Sequence, residues 1–355
     1  MIFNILLYLR SPRTTELVRG SSASQKEIPG AIKMSNSERI ICDLHCDTLL
    51  RLAKGQSLAE DSEKGHLDLP KLKRGGINVQ VFACWISPKY LSHQANNKLL
   101  KLIDLFYQEI DKNSNEISLA TGLEEIQRIT TSGKIAAILA IEGGHSLALE
   151  GNLANLRNFY RLGVRILTLT WNNSNEIGTA AADKRIRKFG LTPFGQEVIR
   201  EMNRLGMIID LSHVSEKTFW NVMKITRKPV IASHSCVKAL NEHFRNLSDK
   251  QICALAKSGG LIGINFCPGF LSRNRRPSDV ESVVEQIDYI KNLVGIDYVA
   301  IGSDFDGISK VPRELEDASK IPNLIKTLQK RKYAEEEINK VLAENFLRVL
   351  KLNEE

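Results

Sequence analysis

Eight short apolar runs recur along the chain, each followed by polar or ionisable residues and then by a helix-like stretch, and this rhythm limits the fold more than any other feature. The runs are Ile40–His45, Ile77–Trp85, Ala136–Ile141, Val164–Thr170, Met207–Leu211, Val230–Ser233, Leu261–Phe266 and Tyr298–Gly302. Between them, Lys98–Ile110, Thr192–Leu205, Ser248–Lys257 and Val280–Leu293 carry apolar positions at helical spacing. Near-continuous apolar strands alternating with helices predict a parallel sheet covered by helices. Eight of them fit a closed α/β barrel, the (β/α)8 TIM barrel, better than an open sheet. No Gly-x-Gly-x-x-Gly follows the first run and no Walker-type loop occurs, which sets the nucleotide-binding sheets aside. A final helix is expected over Ala334–Leu350.

Composition narrows the remaining classes. With 355 residues, 43% hydrophobic and 25% charged, the chain has ordinary globular composition and enough length for a large core. No run of 18 apolar residues is present, so no membrane-spanning helix is expected. The net charge is +8, but residues 1–33 contribute +3 of it, and no basic stripe or nucleic-acid motif stands out. The run Lys184-Arg185-Ile186-Arg187-Lys188 reads as a solvated loop. Six cysteines, several inside apolar runs, read as free thiols of a reducing, cytoplasmic setting. Met1–Leu9 is apolar, but Arg10 follows without a small-residue cleavage site. Residues 1–33 therefore read as an irregular extension, with Met34 an alternative start, ahead of a single domain over 34–355. The charged end Lys351–Glu355 speaks against a lipid-anchor tail.

A barrel of this kind builds its site from the C-terminal ends of its strands. The first run ends in Asp43-Leu44-His45-Cys46-Asp47, where alternation lets Asp43, His45 and Asp47 share a face. The third ends in Glu142-Gly143-Gly144-His145, the fifth in Asp210-Leu211-Ser212-His213, the sixth in Ser233-His234-Ser235 and the eighth in Gly302-Ser303-Asp304-Phe305-Asp306-Gly307. Four of the seven histidines (45, 145, 213 and 234) fall at these ends. A single strand-end histidine or carboxylate is more often a hydrogen-bonding or capping residue than a ligand. Five such ends on one rim instead indicate a metal hydrolase. Imidazole and carboxylate without clustered thiolates suit zinc or a similar divalent ion. Three imidazoles and two carboxylates exceed what one open four-coordinate ion takes, and they suit two ions sharing a bridging carboxylate.

These motifs, together with Arg245-Asn246-Leu247-Ser248-Asp249, come in an order that resembles the membrane (renal-type) dipeptidases, binuclear zinc peptidases of the amidohydrolase-like barrels. The resemblance runs from about Arg39 to Leu350. It implies that His45 and Asp47 hold one zinc, His213 and His234 a second, and Glu142 bridges them. It implies that Arg245 binds the substrate's C-terminal carboxylate and that Asp304, kept ionised by the nearby cations, moves protons at the scissile bond. The implied reaction is hydrolysis of dipeptides by a hydroxide held between the two zinc ions, by an enzyme without a stable membrane anchor and compatible with a homodimer. One departure stands out: Trp171-Asn172 occupies the place where animal members carry a histidine near the substrate carbonyl, and an indole only donates. Bacterial members with Trp-Asn here resemble the chain too, so the change does not imply inactivation. Two alternatives remain at this stage: a related amidohydrolase acting on a lactam or cyclic amide, and a non-catalytic barrel, which ought to have lost a ligand.

Overall fold

The computed structural model describes residues 39–90, 92–272 and 277–355; the extension expected over 1–33 lies outside them. The strands are β1 (Cys42–Cys46), β2 (Val79–Trp85), β3 (Ile117–Leu119), β4 (Ile135–Glu142), β5 (Val164–Thr168), β6 (Ile208–Asp210), β7 (Ile231–Ser235), β8 (Leu261–Ile264) and β9 (Val299–Ile301). All pairings between these strands are parallel, in the order β2-β1-β9-β8-β7-β6-β5-β4, and β2 closes the ring onto β4. Each of the eight apolar runs supplies one stave of this closed (β/α)8 barrel.

The ninth strand, β3, is an addition to the expected eight. It pairs Ile117 with Ile135 and Leu119 with Ala137, below the point where β5 takes over along β4 from Leu139 to Glu142. Three residues are too few to carry a period, which is why the sequence pattern does not show it.

The apolar runs are continuous because both faces of each strand are covered. In β4, Ala136, Ile138 and Ala140 join a cluster with Val79, Ile166, Ile208 and Ile231. Ile135, Ala137, Leu139 and Ile141 join a second cluster with residues such as Leu156, Phe159, Val198 and Ile199 of the surrounding helices. The first cluster fills the barrel and ends on Phe346, Leu347 and Leu350 of the C-terminal helix. That helix crosses the strands' N-terminal end: Arg348 donates to the carbonyls of Gly259 and Asp297, and Asn353 to that of Pro229. It runs as Glu335–Asn339, a π turn over Lys340–Glu344, and Asn345–Glu354. With the lower end closed, the upper rim is the open end.

Caps set the boundaries of the covering helices. Thr192 caps the helix Pro193–Leu205, its hydroxyl accepting from Gly195 N at 2.8 Å, and Ser248 with Gln251 closes a capping box on Asp249–Lys257. Among the described residues no helix is long and apolar enough to cross a membrane. The six cysteines are free, and Cys42, Cys46, Cys84 and Cys236 are buried.

Candidate metal centre at the barrel mouth

The upper rim is level. Trp85 pairs with Glu142, Glu142 with Thr168, and Thr168 with Asp210, so the strand-end side chains meet at one height. Glu142 sits at the centre: its Oε1 lies 2.9 Å from His213 Nε2 and 3.4 Å from His234 Nε2, and the two Nε2 atoms are 2.9 Å apart. His45 stacks at 3.9 Å on His234, and its Nε2 is 3.6 Å from Asp47 Oδ2. Ligand atoms of His45, Glu142 and His234 form one tight group, and those of His45, Asp47 and Asp304 a second, each within 4.8 Å.

Partners on the far ring nitrogens decide which nitrogen faces the centre. Asn172 Oδ1 lies 3.0 Å from His213 Nδ1, and a carbonyl oxygen only accepts, so the proton is on Nδ1. The hydroxyl of Ser233 donates to Asp210 Oδ2 at 2.6 Å, so at 2.8 Å it accepts from His234 Nδ1. Both histidines thus turn bare Nε2 lone pairs toward each other and toward the same carboxylate oxygen. Burial pushes both well below the ordinary imidazole pKa, so they stay neutral. Lone pairs converging in this way need a cation or a proton between them.

The other half of the centre has the same deficit. His45 Nε2 and Asp47 Oδ1 are buried without a hydrogen-bond partner. Burial opposes a charge on His45, but the adjacent Asp47 carboxylate, with the charges of Glu142 and Asp304, outweighs it and lifts its pKa to about 10. Glu142 is raised well above the usual carboxylate range, chiefly by burial and then by Asp47. The cradle is also tight: a Cβ on Gly307 would lie 2.2 Å from Asp47 Oδ2 and 2.4 Å from Asp304 Oδ1. Imidazole and carboxylate donors with orphaned atoms fit divalent metal ions.

Asp304 is better connected than its place in the sequence suggests. Asn265 Nδ2 donates to its Oδ2 at 2.8 Å, leaving Oδ1 toward Asp47 and Gly307. Burial, helped by the Asp47 charge and opposed by His45, raises its pKa to about 6, where the metal-based expectation is a lowered value. Asp304 and His213 both have left-handed backbone, with φ of 63° and 69°, which is uncommon for non-glycine residues, although Ser92, Ala148, Glu150, Asp306, Glu314 and Lys332 share it. Asp306 instead fixes the loop, accepting from Thr48, Arg51 and the His66 amide at 2.7–3.0 Å.

Arg245 is buried beside the centre. It donates to the His234 carbonyl at 3.2 Å and lies 5.6 Å from the Phe270 ring centre. No described carboxylate pairs with it, and it lines a cavity of about 590 Å³ that also contains His213. Trp171 stands 6.3 Å from the His213 ring and packs edge-on at 5.0 Å against Trp85, whose buried indole N–H has no partner.

Two rim residues do not join. Asp43 accepts from Ser303 N, Ser303 Oγ and Gln80 at 2.6–3.2 Å, because a register shift between Asp43 and Cys46 breaks the alternation that would align it with His45 and Asp47. His145 turns away on a short helical turn, with Nε2 2.9 Å from the Ile86 carbonyl. Conversely, Asn172, Asn265 and the Ser233–Asp210 pair were not singled out as functional by sequence reasoning. Polar residues at the ends of apolar runs were the available signal.

Fold and rim together define a metal-dependent hydrolase. The family model for membrane dipeptidase (peptidase family M19) matches residues 32–355. The chain is 34% identical over 295 residues to the dipeptidase tcpJ of Claviceps purpurea, covering 81% of this chain and 69% of that protein. It is 38% identical over 339 residues to an uncharacterized dipeptidase of Schizosaccharomyces pombe, covering 88% and 80%. Among solved structures, a metallopeptidase from Rhodobacter sphaeroides, liganded with a phosphinate mimic of L-Ala-D-Ala, superposes with a TM-score of 0.83 at 26% identity, covering 89% of this chain and all of that one. A dipeptidase AC of family M19 gives 0.82 at 28%, covering 89% and 99%. The chain belongs to the membrane dipeptidase family, and it is a metallopeptidase, a hydrolase acting on peptide bonds.

Proposed function

We propose that the chain hydrolyses dipeptides with a free C-terminal carboxylate, using two zinc ions held by His45 and Asp47 on one side, His213 and His234 on the other, and Glu142 between them. The observation that carries this reading is the convergence of two neutral Nε2 lone pairs on one Glu142 oxygen, at 2.9 and 3.4 Å, beside the orphaned His45 Nε2. When bound, such a metal pair polarises the scissile carbonyl and makes water acidic near neutral pH.

The chain's own residues supply the rest. Arg245, desolvated and without a described carboxylate partner, clamps the substrate carboxylate with its remaining donors. The clamp orients the peptide and selects short substrates, since a longer C-terminal extension leaves it empty. Asp304, tethered through Oδ2 by Asn265, takes the water proton on Oδ1 and passes it to the leaving amine. Trp171 and Trp85 wall the site where animal members place a histidine, and the Trp85 indole N–H is buried there without a partner. A cytoplasmic setting belongs to the same reading, supported by the free buried thiols.

The test is steady-state hydrolysis of paired dipeptides, free and amidated at the C-terminus, by protein of measured metal content. Cleavage of the free acids, loss on chelation and recovery on adding zinc support the reading. Equal cleavage of the amides, or full activity in stripped protein, overturns it.

A further inference from the structure

The cavity beside Arg245 and His213 carries a charge pattern that the hydrolytic reading does not use. Its wall includes Arg187, Lys188, Lys217 and Lys238, against Glu216 as the one acidic residue among the described lining residues. None of these four cations has an ion pair with a described carboxylate; Asp183, at the foot of the loop, faces Arg185 instead at 3.8 Å. Glu216 accepts from the Trp220 indole at 3.4 Å.

The fold anchors the backbone of each cationic segment, while Arg187, Lys188 and Lys217 are themselves exposed. Arg187 and Lys188 belong to the run that the sequence reads as a solvated loop, yet that loop is fastened to the site. Ala181 N donates to the carbonyl of His213 itself at 2.8 Å, and Thr179 binds the loop's far end, accepting from Gly190 N at 3.1 Å and donating to the Arg187 carbonyl at 3.2 Å. Lys217 lies in the first turn of the helix Glu216–Ile225 that follows His213, and Lys238 follows β7 with its amide on the Leu247 carbonyl at 2.8 Å. Three separate segments thus contribute basic residues to the wall of one cavity.

We propose that this cavity is a subsite for an acidic side chain on the substrate's C-terminal residue, so that the preferred substrates are dipeptides ending in aspartate or glutamate. This rests on the reading that Arg245 holds the C-terminal carboxylate. That carboxylate and its residue's side chain hang from one Cα, so a carboxylate on Arg245 brings the side chain into the same cavity. A concave wall with a strong excess of one sign of charge concentrates ligands of the opposite sign. A volume of about 590 Å³ leaves room for a glutamyl side chain and its waters.

The experiment compares kcat/KM for Ala-Glu and its isosteric amide Ala-Gln, with either configuration at the second residue, in wild type and in the combined Arg187→Gln, Lys217→Gln, Lys238→Gln variant. The pair Glu-Ala and Gln-Ala places the charge at the other end. The ratio within one preparation cancels differences in folding or metal loading. Wild type is expected to favour Ala-Glu over Ala-Gln roughly tenfold, mostly through KM, the scale for a few screened charges acting together. That preference should collapse toward unity in the variant and shrink in about 0.5 M salt. Ala-Gln cleaved as well as Ala-Glu by wild type overturns the subsite while leaving the dipeptidase reading intact. So does a preference that survives in the variant, or one that appears for Glu-Ala instead. Failure to cleave any dipeptide removes the dipeptidase reading and the subsite with it.

Discussion

Replacing Asn172 with alanine should weaken metal binding without unfolding the barrel. Asn172 Oδ1 is 3.0 Å from His213 Nδ1, while His213 Nε2 faces Glu142 Oε1 and His234 Nε2, each at 2.9 Å. Without the acceptor, the buried Nδ1 proton has two outcomes. It stays unpaired, at a cost of about 1–3 kcal/mol, or it moves to Nε2 and blocks the nitrogen that faces the centre. Each disfavours the ligating form by a similar amount, and about 1.4 kcal/mol is tenfold in affinity. The expected loss is therefore about 10–100-fold, the range for partners that orient a metal-binding histidine. Chelator competition on wild type, Asn172→Ala and Asn172→Asp measures it, with thermal unfolding of the metal-free proteins alongside. Aspartate restores an acceptor and should bring affinity back near wild type. An alanine variant within about twofold of wild type, or an aspartate variant as weak as alanine, refutes the reasoning.

Arg245→Ala should cost about 1.5–3 kcal/mol in kcat/KM for substrates with a free C-terminal carboxylate and keep its metals; an equal loss on amidated dipeptides contradicts the clamp. Asp304→Asn should lower kcat roughly 10²–10⁴-fold at normal metal content. Near-normal turnover at full loading removes the proton-transfer role, and loss of one metal equivalent makes Asp304 a ligand. Gly307→Ala places a Cβ 2.2 Å from Asp47 Oδ2 and 2.4 Å from Asp304 Oδ1, so metal content and activity should fall together. Overpacking of this kind costs about 1–3 kcal/mol, and elemental analysis showing full loading contradicts the cradle.

The barrel was legible because its staves are buried on both faces, so each appears as an unbroken apolar run. The rim was legible for the same reason in reverse: His45, Glu142, His213, His234 and Asp304 are ionisable groups that interrupt or end those runs. What escaped depends on where the backbone bends and on contacts distant in sequence. The shift between Asp43 and Cys46 separates Asp43 from His45 and Asp47, and alternation alone does not reveal it. Asn172 lies 41 residues from His213, and Asn265 lies 39 from Asp304, so neither pairing has a local signature. The basic loop around Arg187 is solvated, as its sequence indicates, while the fastening of its flank to the His213 carbonyl is tertiary and has no local signature.

The central claim is that five side chains from four strands hold two metal ions with Glu142 shared. Metal content measured by elemental analysis on active, purified protein tests it most directly, in wild type and in Glu142→Gln. The account predicts close to two equivalents of zinc in wild type and reduced occupancy at both sites in the variant, since one carboxylate serves both. One equivalent or none in fully active wild type contradicts it.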